Sequence, residues 1–251
     1  MRFFLEIAYR GTHYHGWQRQ PNAETVQQVI ENSLSIILNE TVAIMGAGRT
    51  DTGVHAKQMF AHFDTDQKLE NADDFVFKMN ALLQKDIVIK NLFRVSDSAH
   101  CRFDAIYRTY EYWVYEAKNP FLESFAYRLK SNVDYHVMNQ TAQLLLEHNN
   151  FKCFSKSNTD ISTFECDITK AGWKPYEEYS VFTITANRFL RNMVRAVVGT
   201  LLEIGQGKRP VSHFLEVLKS QDRSNAGFSV PAHGLYLTEV GYPNELIKTD
   251  G

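Results

Sequence analysis

Along each half of this chain the hydrophobic period switches repeatedly between that of a strand and that of a helix. The order of those switches restricts the fold more than any single motif does. Phe3, Leu5, Ile7 and Tyr9 alternate with partly polar neighbours, the mark of a strand. Thr25 and Gln28 match a capping box, and Val26, Val29, Ile30, Leu34, Ile37 and Leu38 recur at helical spacing. TVAIMG (41–46) and MFAHF (59–63) read as strands on either side of a Gly-rich loop. Phe75, Val76, Met79, Leu82 and Leu83 predict a second helix, and DIVIKNLFRV (86–95) a further strand. The first hundred residues therefore read β-α-β-β-α-β.

The second half repeats this order more loosely. RTYEYWVY (108–115) is aromatic and β-prone, and Val137–Leu146 has helical spacing. ECDITKAGW (165–173) and YSVFTITAN (179–187) predict a strand pair turning at Pro175, Tyr176 and Glu177. Met193, Val194, Val197, Val198, Leu201 and Leu202 predict a helix stopped by Gly205, with a shorter one after Pro210 and a closing strand over LYLTEVGYP (235–243). The expectation is an α+β protein of two ferredoxin-like halves, residues 1–104 and 105–251.

Composition fits a folded chain: 44% of the 251 residues are hydrophobic and 22% charged. MRFFLEIAYR is interrupted by Glu6 and reads as no secretory signal, and no run approaches a membrane span. Cys101, Cys153 and Cys166 form no CxxC pair, so a reducing, cytoplasmic setting is expected. With 27 Lys+Arg against 29 Asp+Glu the net charge is −2, at first sight a poor match to a nucleic-acid partner. The total hides a contrast. Residues 186–209 hold five cations (Arg188, Arg191, Arg195, Lys208, Arg209) against Glu203, a balance of +4, whereas residues 64–74 balance at −4. Arg188, Arg191 and Arg195 would share one helical face if the helix began early enough.

The loop Gly46-Ala47-Gly48-Arg49-Thr50-Asp51-Thr52-Gly53-Val54-His55-Ala56 carries the chemical signal. Its spacing is neither that of a dinucleotide fingerprint nor that of a P-loop. A turn displaying one carboxylate beside one guanidinium remains. From residue types alone two readings stay open: Asp51 caps backbone N–H groups and Arg49 is solvated, or Asp51 is a carboxylate nucleophile acting on a glycosyl carbon. His13, His15, His55 and His62 are accompanied by no HExxH or Cys/His ligand pattern, so no metal is expected.

This loop resembles that of the tRNA pseudouridine synthase A (TruA) family, in which a G-x-G-R-T-D-x-G-V-H segment carries the catalytic aspartate. Four further segments are similar to family motifs, in family order: residues 8–27 around Gly16-Trp17-Gln18-Arg19-Gln20, His100–Tyr112, Asn187–Arg195, and Pro231–Leu237. The departures are small. Cys101 stands where the family often has Ala, Gln84 where a Pro is common, and Asn149-Asn150 where His-Asp is more usual, next to a Phe154-Ser155-Lys156-Ser157 stretch that roughly keeps the family pattern.

The resemblance implies an extended mixed, mainly antiparallel sheet with helices on one face and a central RNA-binding cleft. It implies a homodimer that isomerises uridine to pseudouridine at positions 38, 39 and 40 of the tRNA anticodon stem-loop, gripping the elbow as well, without a cofactor. Asp51 matches the nucleophile, attacking C1′ or C6, and Arg195 its ion-pair partner. Tyr110 matches the active-site tyrosine that stacks on the base, Arg49 the residue that helps hold the flipped nucleotide, and Leu235 the apolar wall against the uracil. Without the resemblance, Tyr110 reads as an ordinary strand aromatic, Leu235 equally as core or as an apolar wall, and Arg195 as a solvated arginine or as a paired charge beside Met193 and Val194 on an otherwise apolar helix. The competing functional expectation is a non-catalytic RNA-binding protein with two ferredoxin-like modules, although residues 57–63 and 86–95 show no clear RNP1 pattern. A metal-independent glycosidase or base-modifying enzyme acting on small nucleosides is the other.

Overall fold

The computed structural model describes residues 1–156 and 162–247, so Ser157 lies outside the described residues. Two compact α+β units emerge. One runs Met1–Tyr107 and resumes at Tyr236; the other is Arg108–Leu235. The closing strand, placed by its sequence position in the second half, thus groups with the first unit from Tyr236 onward.

In the first unit, strand β1 (Arg2–Tyr9) pairs antiparallel with both β3 (His55–Asp64) and β4 (Ile87–Val95). A short β2 (Met45–Gly46) pairs with the C-terminal part of β3, at His62 and Ala61. Strand β9 (Leu235–Gly241) pairs in parallel with its N-terminal part, at His55 and Ala56. The outer edge of β3 is thereby shared between two partners. Helices α1 (Val26–Leu38) and α2 (Ala72–Leu82) contribute Ile30, Leu34, Phe75 and Met79 to a core with Phe3, Leu5, Ile7, Met59 and Phe63. The Phe63 and Phe75 rings stack at 6.3 Å, which sets α2 against that face. Helix α1 starts where its cap does: the Thr25 side chain accepts the Gln28 N–H at 3.4 Å.

The strand expected over 41–46 shrinks to two residues for a specific reason. The Val42 N–H donates to Ser35 Oγ and the Ile44 N–H to Glu31 Oε1, both at 3.1 Å. Side chains of α1 take the donors that a strand neighbour would need.

In the second unit, β5 (Tyr107–Tyr115) pairs antiparallel with β8 (Ser180–Ala186), and β8 with β7 (Ile168–Pro175). A two-residue β6 (Tyr127–Arg128), which the sequence pattern did not show, runs parallel to β5. Helix α3 (Tyr135–Gln143) packs on β7, beside α4 (Met193–Gly205) and α5 (Val211–Ser220). Helix α4 is buried nearly all round, as its run of Val, Leu and Ile requires.

Arg188, Arg191 and Arg195 do not share a helical face. Helix α4 begins at Met193 because its N-cap, Asn192, takes a left-handed backbone (φ 68°) that cannot continue a helix. Arg188 and Arg191 therefore precede it in irregular chain.

Candidate active site

The Asp51 loop joins β2 to β3 and is held by the segment that follows β1. The Trp17 N–H donates to the Thr50 carbonyl at 3.1 Å, and the Gly11 N–H donates to His55 Nδ1 at the same distance. The Tyr9 and Thr50 hydroxyls share a hydrogen bond of 2.8 Å. Gly16 adopts φ +87°, and a Cβ there would stand 2.6 Å from the Thr50 carbonyl oxygen. Only glycine permits that approach. The Asp51 carbonyl then accepts the Val54 N–H at 3.1 Å, closing a turn whose third residue, Gly53, has φ 80°.

The backbone is thus fixed from both sides while the chemistry-bearing side chains stay accessible. Asp51 is half-buried and Arg49 is exposed. Beside Arg49, a Cβ on Gly48 would meet nothing within 4 Å, leaving open space at that edge of the loop.

Tyr110, Arg195 and Leu235 belong to the other unit. Tyr110 lies on β5 opposite Ile184 and is half-buried, its ring edge-on to Phe189 at 5.0 Å. Two residues further along the strand, Tyr112 is fully buried and its hydroxyl donates to the Pro231 carbonyl at 2.8 Å. Burial pushes the Tyr112 phenol well up, against the opposing charge of Arg195. Arg195 Nε donates to the Val230 carbonyl at 2.7 Å, and the Val230 N–H donates to the Arg195 carbonyl at 3.2 Å. The structure therefore joins Arg195 to the segment that runs through Pro231 to the buried Leu235.

Of the histidines flagged in the sequence, His13 and His55 have side-chain partners. His13 Nδ1 lies 3.2 Å from Asp86, and buried His55 stacks on Tyr236 at 4.7 Å. His62 belongs to a group missed in the sequence: His62, His100 and Cys101 bring their potential ligand atoms within 4.8 Å of one another. Neighbours already use these residues. Cys101 N–H donates to His62 Nδ1, the Arg102 and Phe103 N–H groups donate to His100 Nδ1, and Cys101 Sγ donates to the Met45 carbonyl. Burial, Arg2 and His100 bring the His62 imidazole down to about 4. The group reads as a clamp on the 99–104 loop. A gap of 39 residues between His62 and Cys101 left no spacing signal by which to find it.

A model of the family described as tRNA pseudouridine synthase matches residues 7–104 and 141–243. The match covers the Asp51 loop as well as Arg195 and Leu235.

The chain belongs to the tRNA pseudouridine synthase family.

It is 49% identical over 249 residues to the tRNA pseudouridine synthase A of Porphyromonas gingivalis, covering 98% of each chain. The enzyme of that name from Parabacteroides distasonis is 46% identical over 249 residues, 99% of each chain. That of Acetivibrio thermocellus is 38% identical over 240 residues, covering 95% of this chain and 98% of its own. Family membership makes this chain an isomerase of the pseudouridine synthase class. Among the described residues no helix is long and apolar enough to cross a membrane.

Proposed function

We propose that this protein converts uridine to pseudouridine in the anticodon stem-loop of tRNA, at the family positions 38, 39 and 40, with Asp51 as nucleophile. The observation that carries the assignment is the Asp51 loop itself. Its backbone is held by the Trp17 hydrogen bond to Thr50 and by the close approach of Gly11 and Gly16, and it carries a half-buried Asp51, an exposed Arg49 and open space at Gly48. A loop that only connected strands would need no such bracing.

The reaction is an isomerisation. The N1–C1′ bond breaks, the freed uracil turns, a C5–C1′ bond forms, and the C5 proton is lost as N1 regains one. No redox equivalent enters or leaves. The Asp51 carboxylate attacks either C1′ or the pyrimidine C6, and must be ionised to do so. Arg195 supplies the cation that favours this form, Tyr110 stacks on the base, Leu235 walls the uracil, and Arg49 holds the nucleotide out of its stack.

The family resemblance extends the reading to ferredoxin-like modules, a central RNA-binding cleft and a homodimer that grips the tRNA elbow. A cytoplasmic setting suits three buried thiols.

Incubation with unmodified tRNA followed by pseudouridine mapping tests the function. Conversion in the anticodon arm supports it, binding without conversion points to an RNA-binding module, and activity on free nucleosides alone points to a different enzyme. Asp51→Asn tests the nucleophile: turnover near the wild-type rate removes Asp51 from that role.

A further inference from the structure

No step of the proposed chemistry uses Tyr9, yet this residue is built into the Asp51 loop. It ends β1, just past a register shift between Ile7 and Tyr9 on the β3 side. Such an irregularity re-aims a side chain that a regular strand would send elsewhere. The Tyr9 hydroxyl meets Thr50 Oγ1 at 2.8 Å across 41 residues of sequence, and both residues are buried.

Packing alone does not call for this pair, since two apolar groups of the same shape would fill the space with little loss. What a buried hydroxyl pair adds is direction. Thr50 immediately precedes Asp51, and its carbonyl is separately held by the Trp17 N–H at 3.1 Å. With side chain and carbonyl both tied, the peptide leading into Asp51 has one orientation. The Asp51 carbonyl is tied in turn to the Val54 N–H.

We infer that Tyr9 is a positioning residue for pseudouridine formation, acting through the Thr50 hydroxyl to set the direction in which Asp51 presents its carboxylate. The inference rests on the reading of Asp51 as nucleophile.

The experiment uses the full chain and an unmodified tRNA transcript, with four readouts: single-turnover rate, tRNA Kd, the pH profile of the rate and the thermal midpoint. Tyr9→Phe and Thr50→Val are expected to lower the maximal rate about 10- to 100-fold, the scale of a small misplacement of a reacting group. Affinity for tRNA stays within about twofold of wild type, because neither hydroxyl is assigned to RNA. Thr50→Ser keeps the hydroxyl and keeps the rate. The double variant Tyr9→Phe/Thr50→Val is no slower than the slower single one, because both changes cut the same link.

A Tyr9→Phe protein that turns over at the wild-type rate, even with a lowered thermal midpoint, overturns the inference and leaves Tyr9 a stabilising residue. Equal losses in rate and affinity also overturn it, because Tyr9 would then be shaping an RNA contact. Asp51→Asn run alongside separates the two ideas. If that variant is active, the nucleophile assignment fails; if it is inactive while Tyr9→Phe is unaffected, only the positioning role falls.

Discussion

Arg195 and Val230 clasp each other through two hydrogen bonds, Arg195 Nε to the Val230 carbonyl at 2.7 Å and the Val230 N–H to the Arg195 carbonyl at 3.2 Å. One residue on, the Pro231 carbonyl takes the Tyr112 hydroxyl. The guanidinium therefore anchors the approach to Leu235 as well as carrying the charge assigned to it in the reaction.

Arg195→Lys separates those two duties. A lysine keeps the charge but has no planar Nε–H donor at that point of the chain. Turnover of the lysine variant is expected to fall at least about tenfold, the effect of losing roughly 1.4 kcal/mol from the transition state. Arg195→Met, which also removes the charge, should cost stability by about 1.5–3 kcal/mol, the worth of a hydrogen bond from a charged group. Steady-state rates and urea denaturation check the two outcomes.

Gly16→Ala is expected to disturb the Asp51 loop directly. The backbone at φ +87° disfavours any side chain, and the new Cβ would press on the Thr50 carbonyl from 2.6 Å. Strain of this kind is on the order of 1–3 kcal/mol. The change should lower the thermal midpoint and reduce pseudouridine formation out of proportion to the unfolded fraction. An alanine variant with normal rate and midpoint would show that the loop tolerates the shift.

Stability should fall on acidification through a window set by His62. Burial, Arg2 and His100 hold its folded value at about 4, below the ordinary 6.5. Between those values the unfolded chain binds a proton that the folded chain does not, so stability is complete above about 6.5 and is lost as the pH drops toward about 4. The loss is on the order of 2 kcal/mol once screening by nearby water is allowed for. Urea midpoints at pH 7, 6 and 5 should show this slope, and His62→Asn should flatten it.

All three thiols are buried, and burial pushes Cys153 up to about 12 and Cys166 up to about 11. Thiolate is the reactive form, so the native protein should take up little iodoacetamide at pH 8 and the unfolded protein three equivalents. Mass spectrometry distinguishes the two. Rapid labelling of Cys153 or Cys166 in native protein would contradict their burial.

Much of this was legible in the residues. Thr25 marks the start of α1 because a cap is a local contact, readable within four residues. The spacing of Met193, Val194, Val197 and Val198 marks α4 for the same kind of reason. The strand over 41–46 was overestimated because Ser35 and Glu31, on the preceding helix, claim its N–H donors. The shared arginine face failed at Asn192, whose left-handed backbone a hydrophobic period does not register.

What the sequence determined by itself was the order of the main helices and strands, the five motifs and, through them, the family. Tertiary structure decided the rest: that β9 from Tyr236 onward pairs beside β3, that Trp17 and Gly16 brace Thr50, and that Tyr9 reaches Thr50. Helix and strand periods are written by neighbours within a few residues, whereas these contacts join groups tens to hundreds of residues apart. Only closure of the chain brings such groups within hydrogen-bonding distance, and the entropy of that closure is offset by the whole core at once.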